Sequence, residues 1–427
     1  MKDLGEPREG ACPEQAKRAE GSRSSRPMNR AFGSLPFKTL RRNSDNLPPM
    51  PDFSIGVDLG GTNLRMAAVS SDGQLLEKVT LGTKVALGPH QVIDRMCDAI
   101  QHLSEKYKPT GKLLGAGVGI PGIVDLGTGM LRKSANLPGF EEYPVRAEIE
   151  RRLGTRVVLE NDANVAALGE QWLGAARGIA NVAVVTLGTG IGGGIILEGK
   201  IWHGMNGMAG EYGHVTVEPE GPPCGCGNRG CAERYASASA IARMVREAIA
   251  TGEAPAIAHA ASSDAEFGAK SIYNLAIQGD EPARRIFRTF GRYLGILLAD
   301  LVNTLNFEMY VLGGGVASAW DAYAPAMFEE LRARSLVYAA TAPDDPLGNM
   351  WGQPPSPALS EVEGDVQAGR SSAGVDSPSN SGFSPGKDAA ALPQTGSHSE
   401  RRTVITLALL GSDAGLYGAA RATALEG

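Results

Sequence analysis

Three groups of residues in this sequence have types and spacings that can do chemistry. The first is a carboxylate at the end of an apolar run. Val157-Val158-Leu159-Glu160 leads into Asn161-Asp162-Ala163-Asn164, after which the pattern turns helical. Asn and Asp at such a junction cap a helix. The junction is also the strand end beside which α/β sheets bind ligands, and capping does not stop Asp162 from acting as a base. An alcohol is a poor nucleophile, and phosphoryl transfer onto it needs mainly positioning, with a carboxylate to orient the hydroxyl and accept its proton late. Glu211-Tyr212-Gly213-His214 and Glu233 add two carboxylates and an imidazole, acceptors of the kind that orient sugar hydroxyls. Taken singly, Glu211 or Glu233 reads as a solvated surface charge; their nearness to a cysteine cluster argues against that.

The second group is a set of glycine turns. Asp58-Leu59-Gly60-Gly61-Thr62-Asn63 lies between two strand-like runs, where paired glycines let backbone N–H groups approach a phosphate and Thr62 and Asn63 add side-chain donors. A plain hairpin turn would look the same. A second copy, Gly188-Thr189-Gly190 followed by Ile191 and three glycines, occupies the matching place further along, and Gly313-Gly314-Gly315 follows a third apolar run. Two stretches match the dinucleotide pattern G-x-G-x-x-G, at 117–122 and 188–193. The second runs into a strand and the first carries Pro121 where a helix should open, so neither has the required context. Gly194 to Lys200 nearly matches a P-loop, but Ile201 stands where a magnesium-holding hydroxyl belongs.

The third group is His214, Cys224, Cys226 and Cys231, spaced H-x9-C-x-C-x4-C. Three thiolates and one imidazole make the ligand set of a closed, structural zinc, and the segment has few apolar groups to order it otherwise. Redox thiols are the alternative, although no C-x-x-C pair is present.

Positioning these groups needs a layered scaffold. Apolar strand runs (FSIGVDLG, LRMAAVSS, LLGAGVGI, TRVVLE, NVAVVTLG, GGGIILEG, MYVLGG, VITLALLG) alternate with helical patterns (91–107, 145–153, 163–173, 239–250, 281–305 and 413–426). This predicts an α/β protein, with a strand–glycine turn–strand unit opening each half, as in a duplicated fold. The 427 residues exceed one ordinary core. A formal charge of −6 argues against a nucleic-acid partner. No run reaches the length of a membrane span and no signal-peptide pattern opens the chain, so the expected compartment is the cytoplasm. Residues 1–51 and 342–402, rich in Pro, Ser, Gly and charge, read as a disordered tail and a disordered insertion.

In order along the chain, DLGGTN, GVGIPG, NLPGF, ENDANVAALGE, TLGTGIGGGI, GEYGH, CGCGNRGC and LGGG resemble the ROK family of sugar kinases, repressors and related open reading frames, within the actin-like, hexokinase-like ATPase superfamily. The resemblance covers Phe53 to Ala340 and Thr403 to Ala424. It implies a two-lobed fold with mixed sheets and a zinc-binding loop: a small lobe at 52–167, on which a C-terminal helix at 413–427 packs, and a large lobe at 168–412. It implies Asp162 as general base, and Asn136, Asn161, Glu211, His214 and Glu233 as sugar contacts, His214 bridging sugar and zinc. Gly60, Gly61, Thr62, Gly188, Thr189 and Gly190 match phosphate positions, Asp58 lies near Mg2+ carried with ATP, and Gly314 and Gly315 border adenosine. Asn63 stands where many members have lysine. The site elements most resemble those of bacterial glucokinases, which implies phosphorylation of a hexose 6-hydroxyl, glucose first, with N-acetylmannosamine, N-acetylglucosamine, fructose or mannose as alternatives. ATP and a hexose are the expected partners, in a homodimer or higher homo-oligomer. A sugar-sensing repressor is the rival function; the first fifty residues lack the paired amphipathic helices it would need.

Overall fold

Two sheets of identical strand pattern organise the chain. In the computed structural model the described residues are 51–264, 267–344, 346 and 401–425. The tail and insertion expected at 1–51 and 342–402 lie, apart from their margins, outside them. In the first half, β1 (Phe53–Leu59), β2 (Asn63–Ser70) and β3 (Leu75–Gly82) form an antiparallel meander, and α1 (Pro89–Tyr107) leads to β4 (Leu113–Ile120). A small ribbon of β5 (Ile123–Asp125) and β6 (Met130–Lys133) follows, then α2 (Val145–Leu153), β7 (Val157–Asn161) and α3 (Asp162–Trp172). The sheet order is β3-β2-β1-β4-β7, with β1, β4 and β7 parallel.

The second half repeats this. β8 (Val182–Leu187), β9 (Ile191–Leu197) and β10 (Lys200–Ile201) form the meander; after a long loop come α4 (Ala238–Ala250), α5 (Pro255–Ser263), α6 (Ala269–Ile277) and α7 (Glu281–Leu305). Then follow β11 (Met309–Gly313), α8 (Trp320–Arg334), α9 (Leu336–Thr341), β12 (Val404–Leu407) and α10 (Ala414–Leu425). The order is β10-β9-β8-β11-β12, again with the last three parallel. The shared pattern bears out the duplicated α/β architecture expected from the paired glycine turns.

Each sheet is covered on both faces, which is why its central strands read as continuous apolar runs. Phe53, Ile55, Val57 and Leu59 of β1 pack with Val92, Ile93, Met96 and Ile100 of α1. On the opposite face α10 lies so close that a Cβ on Gly56 would sit 2.0 Å from the Leu416 carbonyl. In the second sheet Val185 and Leu187 join the Phe287, Phe290 and Leu294 core of α7, while Val182, Val184 and Ile196 turn toward Ala167 and Leu168 of α3. The layers therefore run helices, sheet, α10, α3, sheet, helices. Along the middle seam α3 and α10 touch backbone to backbone: a Cβ on Gly418 would stand 1.6 Å from the Val165 carbonyl.

Buried Glu170 ties this seam to the chain's return. Its carboxylate accepts from the N–H groups of Ala175 (2.8 Å), Leu409 (3.0 Å) and Leu410 (2.8 Å). Those bonds end β12 at Leu407, earlier than its apolar run implies. Thr341 and Thr403 are neighbours despite their separation in sequence, their hydroxyls 2.6 Å apart.

Candidate active site

Strand ends and turns from both halves converge on one cleft of ≈ 450 Å³, within the range of small-molecule sites. It opens at the C-terminal ends of β4 and β7, where Pro121, Gly122 and Asn161 to Ala163 form one wall. The β8–β9 turn, Gly188 to Gly190, and the segment Gly207 to His214 with Glu233 form others.

The Asn161–Asp162 junction divides two tasks. Asn161 is the cap of α3: its Oδ1 accepts from the N–H groups of Ala163 (2.8 Å) and Asn164 (3.3 Å), and its Nδ2 donates to the Gly122 carbonyl (3.3 Å). Asp162, the first helical residue, uses Oδ1 to accept from Ala163 N–H (2.9 Å) and also lines the cleft. Enclosure, then the negative charge of Asp58, push its carboxyl up to about 6, against the pull of the Ala163 N–H. Such a group is poised to take up a proton near neutrality. Asp58, itself raised by burial, is the last but one residue of β1 and is paired at 3.4 Å with Arg65. Asp58, Asp162 and Gly314 share an adjoining cavity.

Across the cleft His214 lies between two carboxylates, Nε2 3.9 Å from Glu211 and Nδ1 3.8 Å from Glu233. Glu233 in turn abuts the β8–β9 turn, since a Cβ on Gly190 would meet its carboxylate oxygen at 2.7 Å. Asn136 approaches from the other half, its carbonyl 2.6 Å from where a Cβ on Gly61 would be.

The metal-type residues fit a zinc ion. The Sγ atoms of Cys224, Cys226 and Cys231 and a ring nitrogen of His214 all lie within 4.8 Å of one another. Cys226 and Cys231 sulfurs are 3.7 Å apart, and Cys224 Sγ is 3.7 Å from His214 Nδ1. Bonds of ~2.3 Å in a tetrahedron give S···S edges of about 3.8 Å, and the sulfurs are too far apart for a disulfide.

The expected residues divide in two. Asn136, Asn161, Asp162, Gly188, Thr189, Gly190, Glu211, His214, Glu233 and Gly314 line the cleft, whereas Asp58, Gly60, Gly61, Thr62, Asn63 and Gly315 do not. Two amides offered as phosphate donors are used within their own turns, Gly60 N–H by the Asn63 carbonyl (2.9 Å) and Gly188 N–H by that of Gly190 (3.0 Å). The sequence reading passed over Pro121, Gly122, Thr186 and Met208, which line the cleft. The signal for the first two is GVGIPG, a failed dinucleotide fingerprint and a family motif to which no site role was attached.

The chain is similar in sequence and fold to proteins of known function. The chain is 39% identical over 269 residues to the glucokinase of Halalkalibacterium halodurans, covering 62% of this chain and 81% of the relative. It is 39% identical over 284 residues to that of Thermotoga maritima, covering 66% and 87%. The structure of a ROK family glucokinase from Streptomyces griseus in complex with glucose and AMPPNP superposes with a TM-score of 0.61 at 29% identity, covering 87% of this chain and 98% of that one. More distant matches include an N-acetylmannosamine kinase of Escherichia coli at 31% and a xylose repressor of Caldicellulosiruptor bescii at 28%. The ROK family model itself matches residues 54–347, which hold every cleft-lining residue described above, and the chain belongs to the ROK family.

Proposed function

We infer that this chain is a sugar kinase that moves the γ-phosphoryl group of ATP onto the 6-hydroxyl of a hexose, with glucose as the acceptor. The observation that carries this reading is Asp162, a carboxylate raised to about 6 that faces a cleft between a glycine turn and a cluster of hydroxyl-binding side chains. The glucokinases at 39% identity support the choice of acceptor.

In this reading Asn136, Asn161, Glu211, His214 and Glu233 hold the sugar's hydroxyls. Asp162 accepts the proton of the 6-hydroxyl as its oxygen bonds to the γ-phosphorus and the bond from that phosphorus to the bridging oxygen of ADP breaks. Thr189, with the turns at 60–63 and 188–190, positions the phosphates, and Gly314 and Gly315 border the adenosine. Magnesium bound with ATP would neutralise phosphate charge near Asp58. Zinc on His214, Cys224, Cys226 and Cys231 would be structural, fixing Glu211 and Glu233 on either side of the acceptor. The halves 52–167 and 168–412 act as lobes around the cleft.

A coupled ADP-release assay with magnesium-ATP against glucose, mannose, fructose, N-acetylglucosamine and N-acetylmannosamine tests this. Glucose-dependent turnover that Asp162→Asn abolishes is the expected result. Preference for another sugar overturns the acceptor, and silence on all of them from folded, zinc-loaded protein overturns the kinase.

A further inference from the structure

One buried carboxylate joins two walls of the cleft without lining it. Glu160, 5% exposed, is the residue before Asn161 on β7. Its Oε1 accepts from the main-chain N–H of Asn161 (2.8 Å) and from Nδ2 of Asn164 (2.9 Å), so it is wired into the turn that presents Asp162. Its Oε2 lies 2.5 Å from Nε2 of His203, which donates to it from a distant part of the chain. Burying a carboxylate is costly unless its oxygens are met by donors. Here those donors come from two different segments.

The segment holding His203 runs from Trp202 to Glu211 and supplies Met208, Gly210 and Glu211 to the cleft. Its turns rest on glycine: Gly204, Gly207 and Gly210 all have positive φ (67°, 85° and 90°), and Met205 is 98% exposed. Such a stretch has much backbone freedom to lose on ordering. It is anchored at its start by Trp202 N–H on the Ile195 carbonyl (2.8 Å). His203, half-exposed, reaches inward to the Glu160 carboxylate, 43 positions back along the chain.

We propose that the Glu160–His203 pair is a positioning device that holds the 202–211 loop in register with the Asn161–Asp162 turn, so that Glu211 and the base address one acceptor molecule together. This deepens the hexose-kinase reading and rests on it. Because neither side chain lines the cleft, the pair acts on how the acceptor is held, and loss of His203 removes no cleft-lining group.

The test uses the full chain with His203→Ala, His203→Gln and Glu160→Gln. A glutamine at 203 keeps an N–H donor for Glu160, and one at 160 keeps an acceptor for the Asn161 N–H. Steady-state kinetics should show the hexose KM of His203→Ala raised about tenfold or more, with ATP KM unchanged and kcat within about threefold, the pattern of lost uniform binding. His203→Gln and Glu160→Gln should return the hexose KM to within about threefold of the parent. Limited chymotrypsin digestion without sugar should cut after Trp202 faster in His203→Ala than in the parent or His203→Gln. Unchanged hexose KM in His203→Ala overturns the proposal, whatever the digestion shows. Equal rises in hexose and ATP KM overturn it in favour of a general folding role, as does failure of both glutamine variants to restore the KM. Should the parent turn over no hexose, the kinase reading fails by itself, and the digestion decides the tether: a parent-like rate of cutting in His203→Ala overturns it.

Discussion

The two sides of the cleft are held by different physics. The Asp162 side rests on the α3–α10 seam, where hydrocarbon burial and direct backbone contact at Gly418 leave no room for movement. The facing side, from Glu211 to Glu233, is a loop with two isolated bridges, Thr216 with Cys231 and Pro223 with Arg229, in which four metal-type ligands converge. The base proposed at Asp162 must be placed to a fraction of an ångström, which a packed interior can do. In the proposed reading the acceptor-binding groups Glu211, His214 and Glu233 sit instead on the loop that zinc would staple. The two sides should therefore fail separately.

The largest separation is expected from Asp162→Asn, which leaves the fold and hexose binding intact while lowering kcat by about 10²–10⁴-fold. Calorimetric titration with hexose beside a turnover assay would show it; equal losses in both would erase the distinction between the sides. Next is Cys226→Ala, made on the exposed thiol of the cluster. It should abolish zinc measured by elemental analysis and cost more than the ~1 kcal/mol typical of a point change, with hexose affinity falling and the circular dichroism of the sheets retained. A metal-free variant of parental stability and activity would remove the staple from the picture.

A pH profile sharpens the same contrast. The Asp162 carboxyl, raised to about 6 in the ligand-free protein, works as a base only when deprotonated. The kcat/KM for hexose should therefore be level above that pH and fall tenfold for each unit below it, with Asp162→Asn flat across the range. The smallest effect on the chemistry is expected from Gly418→Ala, which tests the seam. Its methyl would overlap the Val165 carbonyl, a main-chain clash that costs at least the ~1–3 kcal/mol usual for overpacking, read as a lower denaturation midpoint at unchanged zinc content. A midpoint equal to the parent's would show the seam to be more yielding than its contacts.

Much of this was legible before any coordinates. The 281–305 helix was read to its exact ends because its apolar period is long and Asp280 caps it. The first strand of each sheet was visible as a continuous apolar run ending in glycine. β3 was not, since it is an edge strand with no buried residue, and α8 was hidden by Pro325 within it. At the site, the Asn161–Asp162 junction could be seen, but not which of the two would cap. Glu160 and Glu170 were illegible for a different reason: their partners lie 43 and 239–240 positions away, and no local pattern announces a bond of that range. The same holds for Gly56 and Gly117, which exist to let α10 lie on the first sheet.

That last contact bears on how the protein is made. Ser54 on β1 hydrogen-bonds Thr423 on α10 at 2.5 Å, across 369 positions of chain, and at a ribosomal pace of about 5–20 residues per second those partners emerge roughly 20–70 seconds apart. Throughout that interval Ala67 and Val69 of the first-synthesised sheet lack Leu416 and Ala420, the α10 side chains they pack against in the finished fold. The half that leaves the ribosome first is thus the half completed last.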